Sequence, residues 1–410
     1  MLQLSKRVIN MPASAIRKLH DYSVAAKKKG IKVYHINIGQ PDIKTPPELI
    51  RAVKNCSADI IPYTPSQGLA SYVTKLSAYY KNHNVDISED EIIITVGGSE
   101  AILFALMAVA DPGDDIIIPE PFYTNYNGFA FMAGVNIIPV TTYLNEGFKL
   151  PDIKTFEKIL TPKTKAVLFS NPCNPTGTVY TKKQIIDLCN FCKKNNLYII
   201  SDEAYCEITQ HDKIISLLNF KNLELDYDIS ENIIVVDSIS KRFSACGARV
   251  GTIVSKHKLI IKEILKFAQA RLSASYYGQV MGEAALSLPD SYLIDLAAEY
   301  EKRINFCCEE LNNNSLIKYH HSEGAFYIIV SLPVEDSDDF AKFLLSDFYS
   351  INPATNEKET IMVAPAKGFY KTPGLGYNEI RIACVLESNL MKRASQILKE
   401  GLTAYLNIKR

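Results

Sequence analysis

Tryptophan is absent from the 410 residues, and the formal net charge is zero, with 45 basic residues against 45 acidic ones. The missing tryptophan identifies no pocket, and neither does the abundance of tyrosine. The balanced charge removes the electrostatic basis for a nucleic-acid or anionic-membrane partner. No apolar run approaches the roughly 18–20 residues needed to span a bilayer; the longest, residues 101–110, suits a core helix. The opening Met1-Leu2-Gln3-Leu4-Ser5-Lys6-Arg7 lacks a continuous apolar stretch followed by a small-residue cleavage site, so no secretion signal is expected. The 9 cysteines are scattered and odd in number, which argues against a disulfide framework. Cys189 and Cys192 form a C-x-x-C inside a helical pattern over 184–194 without a second pair at metal spacing, so they are expected on a buried helix face and no metal site is predicted. There is no G-x-G-x-x-G and no Walker lysine motif, which disfavours a dinucleotide fold or a P-loop. A reducing cytoplasm is the expected setting.

What is present is an ordinary globular composition, 47% apolar and 22% charged, in a chain long enough for two or three domains. From Glu91 onward short apolar runs at 92–96, 115–118, 135–140, 166–169, 198–201, 233–236 and 250–254 alternate with helical patterns at 100–110, 181–195 and 256–270. Most of the runs are continuous, as strands become when both faces of a sheet are covered. The alternation predicts an α/β domain with a largely parallel sheet. The outer segments differ. Residues 14–29 read as a helix leading to a strand at 33–38. After Leu288-Pro289-Asp290 come a long helix to about Leu311, strands at 325–330, 360–363 and 379–384, a helix at 336–347 and a last helix from Glu387. The expectation is a large α/β domain over 46–290 and a small α+β domain built from 1–45 and 291–410.

In open α/β sheets ligands bind beyond the carboxyl ends of the strands, and the residues that follow each run carry chemistry. Lys241 ends the run at 233–236 in Asp237-Ser238-Ile239-Ser240-Lys241-Arg242-Phe243, with Arg249 downstream. Its amine can form an imine with an aldehyde, while the serines and the guanidinium can hold a phosphate; pyridoxal 5′-phosphate combines the two groups. Gly97-Gly98-Ser99 opens a helix, where free N–H groups and a hydroxyl make an anion site. Asn174 sits in the rigid loop Asn171-Pro172-Cys173-Asn174-Pro175-Thr176-Gly177. Asp202, at a sheet edge, can keep a pyridine nitrogen protonated, and Tyr205 can donate to a phenolic oxygen on the same ring. Phe122 and Tyr123 can stack on a flat cofactor. Taken singly, each has an ordinary explanation: a glycine turn, a helix cap, a packed ring. Their placement on consecutive loops at one edge of one sheet is the signal.

These stretches, from Asn37-Ile38-Gly39-Gln40-Pro41-Asp42 to Asn378-Glu379-Ile380-Arg381-Ile382-Ala383, resemble the class I/II aminotransferases of the aspartate aminotransferase superfamily, pyridoxal-phosphate enzymes of fold type I. The most specific are Asn174-Pro175-Thr176-Gly177, Asp202-Glu203-Ala204-Tyr205 and the segment 238–249. The resemblance implies a mostly parallel, mixed seven-stranded sheet flanked by helices beside the smaller domain. It implies that Lys241 carries the cofactor, Asp202 partners the pyridinium nitrogen, and Asn174 and Tyr205 donate to the phenolic oxygen. It places Tyr123 on the ring, Gly98, Ser99, Ser238 and Arg249 on the phosphate, and Arg381 on the substrate α-carboxylate with Gly39 beside it. Tyr63 would reach the phosphate of a neighbouring subunit in a homodimer. The implied reaction is ping-pong transfer of an amino group from an L-amino acid to a 2-oxo acid.

Aspartate with 2-oxoglutarate is the leading substrate pair. Alanine, aromatic amino acids and methionine remain as donors, and the scaffold also supports C–S lyases and, more distantly, non-catalytic cofactor-binding regulators. A dicarboxylate needs a second cation, for which Arg271 is a candidate.

Overall fold

The computed structural model describes residues 2–57, 59–209 and 216–409. Its large sheet has seven strands in the order Ile92–Thr95, Gly251–Val254, Ile233–Ser238, Tyr198–Asp202, Thr164–Ser170, Asp115–Glu120, Asn136–Thr141. Gly251–Val254 runs antiparallel to both of its neighbours, and every other pairing is parallel. The expected mixed, mostly parallel sheet is therefore present, each strand lying within about two residues of the apolar run that predicts it.

The continuous apolar runs have a direct cause. Successive side chains of a strand point to opposite faces. Ile92, Ile94, Val167, Ile199 and Val235 enter one core cluster, while their neighbours Ile93, Leu168, Ile200 and Val236 enter another on the opposite face. Helices cover both faces, so neither can be polar. Cys189 and Cys192 belong to the first cluster, on the buried side of helix Lys182–Lys194, and all nine cysteines are free thiols.

Register fixes what meets at the sheet edge. Ser170 lies opposite Asp202, and Thr95 and Ser238 both lie opposite Gly251. The loops after Thr95, Ser170, Asp202 and Ser238 consequently emerge side by side.

The remaining strands form two smaller sheets. Lys32–His35 pairs in parallel with Lys358–Met362, joining the two ends of the chain. Glu379–Ala383 lies between Tyr327–Ser331 and Ala364–Pro365. Helix Asp290–Asn312 packs on the last helix, Ser388–Lys409. One expectation needs correction: no helix spans 14–29. The helix begins at His20, and residues 15–19 form turns. The amide of Asn37 donates to the Ile16 carbonyl (3.2 Å), and Ala15 packs against Gly368, so tertiary contacts pull this segment out of helical register. The predicted strand at 33–38 is likewise shorter, Lys32–His35. Helices Pro47–Lys54, Ala70–Asn82, Asn125–Ala133, Ile153–Ile159 and Tyr276–Ala285 were not expected.

Beside the sheet, Glu203 is buried and accepts hydrogen bonds from Ser201 Oγ (3.0 Å), Ser216 Oγ (2.6 Å) and the Leu217 N–H (2.9 Å). Burial outweighs these donors and pushes its carboxyl up to about 7, against about 4.3 in an unfolded chain. The native state thus binds the proton more tightly, and the stability this contributes is present in acid and lost as pH rises through about 7. Glu203→Gln should remove that dependence. The melting temperature of the variant minus that of wild type should increase from pH 5 to pH 8; a constant difference would contradict the buried, proton-binding carboxyl.

Candidate active site

A cavity of about 530 Å³ opens at the edge where the four loops converge, within the size range of small-molecule sites. Gly39, Gly98, Ser99, Tyr123, Asn174, Asp202, Tyr205, Ser238, Lys241, Arg249 and Arg381 all line it. Of the residues singled out from the sequence for this site, Tyr63 and Phe122 lie elsewhere; Tyr63 is 80% exposed, and Phe122 is buried in the core. Arg271 does not line the cavity either. Its Nη2 donates to the carbonyls of Ser66 (3.3 Å) and Ile94 (3.1 Å), and its Nε lies 3.5 Å from Glu100, so it ties the loop at Ser66 to strand Ile92–Thr95 and to Glu100, away from the cavity lining.

Each side chain is held by its element. Lys241 belongs to the short helix Ile239–Arg242, capped by Ser238, whose Oγ accepts the Ser240 N–H (3.1 Å). The Lys241 ammonium donates to the Gly39 carbonyl (2.7 Å) and lies 3.8 Å from Cys246 Sγ. Arg249 donates to the carbonyls of Cys246 (3.1 Å) and Val96 (3.4 Å). Gly97 has φ +76°, a conformation that favours glycine, and a Cβ there would come within 2.5 Å of the Arg249 guanidinium, which would have to shift. Gly98 and Ser99 follow in the first turn of the helix Gly97–Val109, where unpaired N–H groups favour an anion.

Asp202 ends its strand and is buried. Tyr126 donates to its Oδ2 (2.6 Å) and the Ala204 N–H to its Oδ1 (3.2 Å). Burial nevertheless pushes the carboxyl above its usual range, despite these bonds and the field of Lys241. Among the described residues no cation is ion-paired with the carboxylate, and a protonated ring nitrogen would supply one. The donor set therefore fits pyridoxal 5′-phosphate: an amine, an anion cradle with an arginine, and a counter-charge for the ring.

Arg381 is 1% exposed, on the inner strand Glu379–Ala383. Its Nη1 donates to Asn174 Oδ1 (2.9 Å) and its Nη2 to the Asn37 carbonyl (2.6 Å). Its guanidinium carbon lies 4.3 Å from the Tyr327 ring centroid and 4.9 Å from that of Phe369. Nε has no partner among the described residues, and desolvation lowers the arginine's pKa. A carboxylate in the cavity would answer both deficits. Tyr205 and Tyr327 share a hydroxyl–hydroxyl bond (2.8 Å). Asn125 donates to the Tyr123 hydroxyl (2.8 Å), which burial pushes up to about 12. No group of three or more metal-ligating side chains occurs among the described residues.

Sequence reasoning missed Tyr126, Tyr327, Asn125, Cys246 and Arg17, which also belong to the site or its immediate support. Tyr126 lies three residues after Tyr123, in the first turn of helix Asn125–Ala133, and its N–H donates to the Tyr123 carbonyl (2.9 Å), a spacing from which it could have been found. The others carry no local signal.

A family model for aminotransferase class I and II matches residues 31–398. An aspartate aminotransferase of Thermotoga maritima is 30% identical over 379 residues, spanning 90% of this chain and 93% of that protein. The aromatic-amino-acid aminotransferase 2 of Thermococcus litoralis is 28% identical over 410 residues, spanning 97% and 99%. Among solved structures, an alanine aminotransferase from Pyrococcus furiosus superposes with a TM-score of 0.86 at 27% identity, covering 98% of this chain and 100% of that one.

One contact tests the geometry independently of activity. A Cβ at Gly39 would fall 1.7 Å from the Tyr327 hydroxyl. Gly39→Ala should displace Tyr327, break its bond to Tyr205 and cost about 1–3 kcal/mol in urea unfolding. Unchanged stability together with an unchanged near-ultraviolet tyrosine signal would contradict the close approach.

Proposed function

Because the chain belongs to the class I and II aminotransferase family, we propose that it carries the amino group of aspartate to 2-oxoglutarate, using pyridoxal 5′-phosphate held on Lys241. Family membership makes the chain a pyridoxal-phosphate-dependent transaminase of fold type I; the donor and the residue roles are the proposed part. The observation that supports the roles is the meeting of Lys241, Asp202, Arg249 and Arg381 around one cavity. The Thermotoga relative's name supports the donor.

When bound, the cofactor supplies a carbonyl for the substrate amine and a conjugated ring that takes up the electron pair of the breaking Cα–H bond. Gly98, Ser99, Ser238 and Arg249 would hold its phosphate, Tyr123 would support its ring, and Asn174 and Tyr205 would donate to its phenolic oxygen. Asp202 keeps the ring nitrogen protonated by offering buried negative charge. Arg381 grips the substrate α-carboxylate with a planar fork, which lysine would not reproduce, and Gly39 lies beside it. Lys241 would take the substrate Cα proton at Nζ and return a proton on the other side of the C–N bond, acting first as base and then as acid. The keto acid leaves before the second substrate enters, which gives ping-pong kinetics.

The reading extends to assembly and setting. Tyr63 reaches across a homodimer interface to the partner's phosphate; its exposure, with Ile60 at 79% and Ile61 at 55%, supports a covered surface there. A large domain over 46–290 and a small one from 1–45 and 291–410 enclose the substrate, supported by the pairing of Lys32–His35 with Lys358–Met362. Nine free thiols support a reducing cytoplasm.

Purified holoenzyme should form glutamate from aspartate and 2-oxoglutarate. Lys241→Ala should lose the visible absorbance of the bound cofactor and about 10⁴-fold or more of the turnover. Retention of both would remove the assignment, and release of pyruvate and ammonia without glutamate would redirect it to elimination. Sedimentation equilibrium should return twice the chain mass of 45.8 kDa; a monomer with full activity would overturn the role of Tyr63.

A further inference from the structure

Four cationic side chains line the cavity, Arg17, Lys241, Arg249 and Arg381, and one carboxylate, Asp202. Three of the cations have hydrogen-bonded places: Lys241 on the Gly39 carbonyl, Arg249 on the Cys246 and Val96 carbonyls, Arg381 on Asn174 and Asn37. The Arg17 side chain is exposed at the cavity mouth and has no hydrogen-bond or ion-pair partner among the described residues. Its backbone, by contrast, is held. The Arg17 N–H donates to the Ser14 carbonyl (3.2 Å), and its own carbonyl accepts the His20 N–H (3.0 Å). The preceding carbonyl, of Ile16, accepts from the Asn37 amide, and the Asn37 carbonyl accepts from Arg381. A single asparagine thus ties the segment that carries Arg17 to the proposed α-carboxylate clamp.

We propose that Arg17 binds the side-chain carboxylate of a dicarboxylic substrate, so that Arg381 and Arg17 together select donors and acceptors with an acid group at each end. This rests on the aminotransferase reading and supplies its donor specificity from the same subunit, the role for which Arg271 had been the sequence candidate. The charge balance supports it. Arg249 and the helix N-terminus answer the phosphate, Arg381 answers the α-carboxylate, Lys241 is committed to proton transfer, and Asp202 to the ring. Arg17 is the remaining positive charge, with no other carboxylate among the lining residues to neutralise it. A monocarboxylic donor would leave it to water, whereas a dicarboxylic one would offer it a carboxylate, the partner a guanidinium fork binds best.

The test compares wild-type holoenzyme with Arg17→Met and Arg17→Lys. In Arg17→Met the ratio of kcat/KM for aspartate to that for alanine should fall about tenfold or more, in line with the loss of one charge-assisted pair, and Arg17→Lys should recover part of it. Calorimetric titration with succinate, which has both carboxylates but no amine to transfer, should show a matching loss of affinity in Arg17→Met. An unchanged ratio with unchanged succinate affinity would overturn the proposal, as would a wild type that transfers from alanine but not from aspartate. A wild type that binds the cofactor yet transfers from no amino acid would overturn the proposed function itself, and this inference with it.

Discussion

The arrangement depends on a buried positive charge. Arg381 sits between two aromatic rings at 1% exposure, where an unpaired guanidinium would be strongly disfavoured. It survives there because Asn174 and the Asn37 carbonyl accept from it. Those acceptors come from different parts of the fold, one from the loop after Thr164–Ser170 and one from the segment after Lys32–His35. The charge can be solvated by protein only if both segments arrive together, so the demand for partners organises the cavity wall. The cation–π contacts with Tyr327 and Phe369 add to this, and Tyr327 passes the constraint to Tyr205 through a shared hydroxyl bond.

Elsewhere in the cavity lining the constraint is a missing positive charge. Asp202 is buried with a phenol and one backbone N–H for company. Its elevated pKa records that shortage. The site therefore combines two contrary deficits, a desolvated cation and a desolvated carboxylate, and the proposed ligands would relieve both. Stability is held back locally so that binding can restore it.

Much of this was legible in the sequence, for identifiable reasons. The seven strands announced themselves because burial on two faces leaves no polar positions to confuse the pattern. Asp202, Asn174 and Lys241 could be found because chain order forces the loops after parallel strands onto one edge. Tyr327, Asn125 and Arg17 could not, because their relevance comes from tertiary approach and not from local pattern. The same cause hid the start of the helix at His20: residues 14–19 carry helical periodicity, but Asn37 and Gly368 claim them. The Tyr276–Ala285 helix escaped notice for another reason. Its buried positions include Gly278 and Gly282, small residues that admit close packing yet give no hydrophobic signal.

The division of alternate strand residues between two cores has a consequence for how this sequence can change over generations. Exchange of one aliphatic for another within Ile92–Thr95 or Ile233–Ser238 keeps every side chain on its own face, since Ile92, Ile94, Ile233 and Val235 enter one cluster and Ile93, Ile234 and Val236 the other. An inserted codon inside one of those strands would rotate everything downstream of it to the opposite face and carry Lys241 or Ser99 away from the rim. Drift in these segments is accordingly free in letter and fixed in length, while additions and deletions are left to the turns on the far side of the sheet.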